Sequence, residues 1–109
     1  MANAWKVLGQ SAPSAATSTT LYTCPGGTQT VISSVTVCNR SATPTTFRLS
    51  VDVNGVGDSD PDYIAYDTPI GANESIALAQ GVTLDASDLI RCYATLATVS
   101  FGAFGQEIS

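Results

Sequence analysis

The sequence predicts an all-β chain: a single antiparallel β-sandwich, jelly-roll-like, of about seven or eight strands. Three observations lead there. Apolar and polar residues alternate with period two over most of the chain, as in Phe47, Leu49, Val51 and Val53 against Thr46, Arg48, Ser50 and Asp52. Turn signals rich in Gly, Pro, Asn and Asp interrupt the alternation at roughly 8–12-residue intervals. Charged residues make up only 12% of the 109 residues against 44% hydrophobic, so the polar surface is built from Thr and Ser hydroxyls.

Taken in order, residues 1–19 form an N-terminal segment, either an arm or an edge strand around Trp5 followed by a loop without periodicity. Residues 20–109 form the sandwich. Thr20 to Cys24 reads as a strand closed by Pro25-Gly26-Gly27. Thr28 to Asn54 reads as two long strands joined as a hairpin by Asn39-Arg40-Ser41-Ala42-Thr43-Pro44. In its first half Val31, Val35 and Val37 share one parity, which places Ile32 outward with Thr30, Ser34 and Thr36. The second half has Phe47 facing the core, and the nearly uncharged hydroxyl side of the hairpin is expected to lie against a neighbouring subunit at low desolvation cost. A loop follows, then a short strand at Tyr63 to Tyr66 stopped by Pro69. Ser75 to Ala79 and Val82 to Leu84 continue the alternation. Ala86 to Ala97 fits helical and strand spacing alike, and the strand-like surroundings decide for a strand. Thr98 to Ile108 is the last strand; Phe101 faces the core and Phe104 falls on the other parity.

Composition narrows function mainly by exclusion. The net charge is −5, and the four basic residues are scattered, which leaves no clustered footprint for nucleic acid or an anionic membrane. No apolar run is long enough to span a bilayer, and the N-terminus lacks a signal-peptide pattern, so synthesis in a cytoplasm without export is expected. Cys24, Cys38 and Cys92 are odd in number and lack metal-site spacing; they read as buried or half-buried thiols, with a Cys24–Cys38 pair as the alternative. Histidine is absent, which removes imidazole bases and Ser-His or Cys-His nucleophile pairs, and no nucleotide-binding or hydrolase motif is present. The expectation is a protein that is not an enzyme and has no resident cofactor.

Two features carry binding chemistry. Asp58, Asp60 and Asp62 have the alternating spacing with which carboxylates converge on Ca²⁺, although the glycine and the closing glutamate of a full calcium loop are missing. Tyr63 and Tyr66 stand beside that acidic loop on opposite parities, so at least one is expected to be exposed and able to stack on a sugar ring or anchor a protein.

Four segments together resemble a group of small virion structural proteins of tailed bacteriophages: Trp5-Lys6-Val7-Leu8-Gly9-Gln10, Thr20-Leu21-Tyr22-Thr23 with Pro25 and Gly27-Thr28, Val35-Thr36-Val37-Cys38-Asn39-Arg40, and Phe101-Gly102-Ala103-Phe104-Gly105-Gln106-Glu107-Ile108. The resemblance implies a β-sandwich subunit made in the host cytoplasm and built into the particle, as a capsid cement or decoration protein or as a tail or fibre component. Its partners would be its own copies and the major capsid protein or other virion proteins. Sandwich edges and outward apolar residues are liabilities on a monomer and interfaces in a symmetric oligomer, a trimer above all, which makes Trp5, Ile32 and Phe104 the candidate contact residues. The alternative function is a tail-fibre or baseplate component that binds a host-surface saccharide through Tyr63 or Tyr66.

Overall fold

A computed structural model describes residues 3–55, 62–79 and 81–108. The described residues form nine strands: β1 (Asn3–Ser11), β2 (Thr19–Thr23), β3 (Gln29–Asn39), β4 (Thr45–Asp52), β5 (Tyr63–Ile70), β6 (Ser75–Leu78), β7 (Val82–Leu84), β8 (Leu89–Ala94) and β9 (Val99–Ile108). One sheet has the order β1-β9-β3-β6, with β7 also paired to β3, and the other has the order β2-β8-β4-β5. All pairings are antiparallel.

The pairings are nested. β1 lies on β9, β2 on β8, β3 on β6 and β7, and β4 on β5. A long antiparallel ribbon folded at the β4–β5 connection gives these partners, and rolling it adds the β3–β9 and β4–β8 contacts. That is the jelly roll. Rolling encloses one core between the sheets, with Phe47, Leu49, Ile32, Val37, Ile70, Ile90 and Val99 fully buried and Phe47 packed edge-on against Phe101 at 6.1 Å.

This topology corrects the expected hairpin. β3 and β4 lie in different sheets, so residues 40–44 cross from one layer to the other. The crossing is held by Asn39, itself 1% exposed. Its side-chain amide donates to the carbonyls of Thr43 (2.8 Å) and Gly71 (3.1 Å), and its Oδ1 accepts from the Ser41 amide and the Thr98 hydroxyl (both 3.2 Å). One buried amide therefore ties three loops at the same end of the sandwich.

The expected outward position of Ile32 is also corrected: it is 1% exposed and packs in the core. The reason is a β-bulge. The β3–β9 register shifts between Ile32 and Ser34, so Ser33 is an extra residue and the inward parity changes from Thr30 and Ile32 to Val35 and Val37. Thr30 and Ser50 are buried as well, at 1% and 2%, so the hydroxyl face expected for lateral contact is not a continuous surface.

Residues 3–11 take the edge-strand alternative, paired with β9 from Asn3 to Ser11. β5 runs to Ile70 and includes Pro69, which an edge strand tolerates because one side of its backbone needs no partner. Ala86 to Ala97 contains the strand β8, as its surroundings suggest. All three cysteines are free thiols; Cys24 and Cys92 are buried, and burial pushes the Cys92 thiol up to about 11.

Candidate functional site

The outer face of the β2-β8-β4-β5 sheet carries a cluster of arginines and tyrosines, and β4 explains why. Phe47, Leu49 and Val51 point to the core, which turns Arg48, Ser50 and Asp52 outward, opposite Tyr93, Arg91 and Leu89 of β8. Diagonal cross-strand neighbours on one face sit about 7–8 Å apart, within reach of long side chains, and Arg48 and Arg91 stand in that relation. Arg48 donates from Nε to Asp67 Oδ1 at 2.6 Å, and Arg91 from Nε to Asp52 Oδ2 at 2.6 Å.

The β5 side is shaped by irregularity. Leu49 pairs with Ala65 and Ser50 with Tyr63, so Ile64 is an extra residue; a second shift lies between Phe47 and Leu49, where Asp67 has φ +48°. The first bulge brings Tyr63 and Tyr66 to the same face, where their rings meet edge-on at 4.8 Å. The expectation that they lie on opposite faces is thereby corrected, because simple parity fails wherever a strand gains a residue. Tyr66 is 56% exposed and Tyr63 half-buried. The second bulge turns Asp67 toward Arg48, whose guanidinium lies over the rings of both Tyr66 (4.2 Å) and Tyr93 (4.5 Å). The Asp67 hydrogen bond holds the Arg48 pKa above its ordinary value.

Beside this cluster is a cavity of about 250 Å³ lined by Ser18, Arg48, Ser50, Tyr63, Arg91 and Tyr93, among others. The segment between β1 and β2 walls its far side, anchored by the Ala16 amide on the Ala94 carbonyl at 2.8 Å. Sequence reasoning finds Tyr63 and Tyr66 here but not Arg48, Arg91, Asp52, Asp67 or Tyr93. The available signal was that half of the four basic residues sit at outward positions of two strands; which carboxylate each arginine meets depends on the sheet order.

The opposite outer face, on the larger sheet, is apolar at its β1 corner. Trp5 pairs with Gln106 and Val7 with Phe104, while Val31 pairs with Gln106, so Trp5, Val7, Phe104 and Val31 share one surface. Trp5 is 70% and Val7 52% exposed. Phe104 is half-buried, its ring folded over Gly102, where an added Cβ would come within 3.0 Å of it. β1 is an edge strand, so beyond this corner its backbone offers pairing groups to an incoming strand. Its inward side is tied down: Glu107 receives Lys6 Nζ at 2.6 Å and the Tyr22 hydroxyl at 2.5 Å, with Thr30 Oγ1 2.9 Å from that hydroxyl. Lys6 and then Tyr22 hold the Glu107 carboxyl below its ordinary pKa, while burial and then the Glu107 bond push the Tyr22 phenol well up.

Of the calcium candidates, Asp58 and Asp60 lie outside the described residues, and Asp62 is half-buried just before β5. Among the described residues no three His, Cys, Asp or Glu side chains converge as a metal site. No helix among them is long and apolar enough to cross a membrane.

No protein-family model matches the sequence, and no curated protein matches it. Among solved structures, the chain is similar to a pentameric capsid protein isolated from metagenomic phage sequences, with 15% identity, a TM-score of 0.41 and 93% of this chain covered. The match spans 59% of that protein's chain.

Proposed function

We propose that the chain is a non-enzymatic structural subunit of a bacteriophage particle, a capsid cement or decoration protein that works by burying surface across joints between neighbouring capsid subunits. The observation that carries this reading is the apolar corner of β1: Trp5 and Val7 are 70% and 52% exposed, side by side on an open sheet edge of a charge-poor domain. Large apolar side chains grouped on an unpaired edge favour association, because covering them removes apolar area from water and satisfies the edge backbone together. The resemblance of four sequence segments to small virion proteins of tailed phages supports the same reading. Trp5 and Phe104 are the contact residues, and Ile32, being in the core, is not. The partners are further copies of the chain in a closed ring, with a trimer favoured, and the major capsid protein beneath them.

Sedimentation velocity on the purified protein, followed by pelleting with mature phage particles, tests this. The expected result is an oligomer that pellets with the particles. A monomer at all concentrations that stays in the supernatant contradicts it.

The aromatic pair Tyr63–Tyr66, at 4.8 Å on a face with a small cavity, favours a second reading: a tail-fibre or baseplate component that binds a host-surface saccharide. A glycan array run with and without chelator separates the two, and binding in the absence of any particle association supports the second.

A further inference from the structure

The cavity on the smaller sheet has a chemistry that its two tyrosines alone do not specify. We infer that it is a binding site for a carboxylate-bearing sugar, of the uronic acid kind, with Arg48 and Arg91 receiving the carboxylate and Tyr63 and Tyr93 receiving the ring. This inference rests on the saccharide chemistry of the second reading and not on where in a particle the protein sits.

The donor set is built for a carboxylate. The two arginines are half of the four basic residues in a chain of net charge −5, and both line one cavity. Each uses its Nε on an aspartate, at 2.6 Å. A guanidinium carries five N–H donors in a planar fork, so the Nε bond orients the group and accounts for one donor of the five. The planar fork matches a carboxylate, whereas a neutral sugar offers hydroxyls that also need acceptors.

The donors are also preorganised. Arg48 lies over the Tyr66 and Tyr93 rings at 4.2 and 4.5 Å and is clamped by Asp67, and its side chain is only 25% exposed. Arg91 is held by Asp52, whose side chain is 0% exposed. Both donors are therefore fixed before any ligand arrives, and little rotamer entropy remains to be lost on binding. A network needed only to tie β4 to its neighbours has no requirement for an open cavity lined by both arginines.

The cavity is also small. At about 250 Å³ the cavity lies below the usual range for drug-sized ligands, roughly 300–1,000 Å³, and suits one sugar ring. Tyr63 and Tyr93 give aromatic surface in its wall for the apolar face of that ring. The two ion pairs leave the patch electrically neutral on an acidic protein, so selectivity for the carboxylate comes from directed N–H donors and not from a positive field.

The test is a titration of the full chain with glucuronate, glucose and acetate, each followed by NMR at the arginine Nε–H and tyrosine ring signals. Glucuronate is expected to shift the Arg48 and Arg91 signals and those of Tyr63 and Tyr93, saturating at millimolar concentration, with glucose and acetate at least tenfold weaker. Arg48→Lys, which keeps the charge and loses the fork, is expected to weaken glucuronate at least tenfold while leaving the melting temperature close to wild type. Equal response to glucose overturns the carboxylate inference but leaves a general saccharide site standing. Equal response to acetate overturns the sugar. No response to any of the three overturns the site, and unchanged glucuronate binding in Arg48→Lys, with Arg91→Lys as the second variant, overturns the assignment to the arginines.

Discussion

The two outer faces of this sandwich are made by the same rule and come out opposite in character. On the larger sheet, β1 and β9 turn Trp5, Val7 and Phe104 outward, and the surface is aromatic and aliphatic at an open edge. On the smaller sheet, β4, β5 and β8 turn Arg48, Arg91, Tyr66 and Tyr93 outward, and the surface is a network of ion pairs and ring contacts around a cavity. The two surfaces suit different tasks. A bare apolar edge gains by being covered over a broad area and needs no exact partner geometry, which suits assembly. A preorganised polar cavity gains little from broad covering, because its charges would have to be desolvated, and it suits a small ligand with matching groups. A subunit held by the first face would present the second away from the attachment.

The comparison can be broken most strongly at the frame of the apolar face. A Cβ added at Gly105 would sit 2.0 Å from the Val31 carbonyl oxygen and 3.0 Å from Ile32 Cα, where the β3 bulge meets β9. Gly105→Ala is expected to cost about 3 kcal/mol, read as a lower midpoint in urea, since neither backbone can yield without disturbing the ladder. The matching change on the polar face is Asp52→Asn, which strips Arg91 of its carboxylate. It is expected to cost about 2 kcal/mol, below the range for fully buried pairs because the Arg91 side chain keeps 27% exposure. An equally small effect at both positions would mean that neither face is built on the register described.

Surface changes sharpen the contrast. Trp5→Ser with Val7→Ser removes exposed apolar groups and should alter folding stability by no more than about 0.5 kcal/mol per position, while association falls steeply. A double variant that loses several kcal/mol in thermal melts would assign these residues to the fold and not to a contact surface.

The smallest effect is one of pH. The Glu107 carboxyl has a folded pKa below its unfolded one, so its bonds to Lys6 and Tyr22 add stability that is fully present well above the ordinary glutamate value of about 4.3. That stability is lost as pH falls through the lowered folded value. Glu107→Gln should therefore lower the melting temperature near pH 7, with the difference shrinking as pH falls through that lowered value, and a difference that stays constant down to full protonation would contradict the linkage.

Much of the fold was legible in the alternation of β4 and β9, where Phe47, Leu49, Val99 and Phe101 are inward as parity places them, although Ser50 and Asp52 on the other parity of β4 are buried as well; β8 followed from its strand-like surroundings. The jelly-roll character also followed from strand number and spacing. What could not be read was each place where the chain departs from period two. Ser33 reverses the parity of β3 and buries Ile32, and Ile64 aligns Tyr63 with Tyr66; a bulge depends on the partner strand's register, which local sequence does not encode. The Asn39 to Pro44 turn looked like a hairpin because polar turn residues serve equally for a crossing between layers, and the decision belongs to the rolled topology. The candidate site divides in the same way. Tyr63 and Tyr66 were visible as a pair of which at least one had to be exposed, whereas Tyr93 was missed and the arginine–aspartate pairs join residues 19 and 39 positions apart and exist only after the sheet has formed.

The central claim, that the apolar corner of β1 is the assembly surface and the arginine face is not, is tested most directly by one pelleting experiment. Wild type, Trp5→Ser/Val7→Ser and Arg48→Lys are each mixed with mature phage particles and sedimented. Wild type and Arg48→Lys are predicted to pellet with the particles to the same extent, and the double variant to remain in solution although folded. Co-sedimentation of the double variant at the wild-type level would contradict the account.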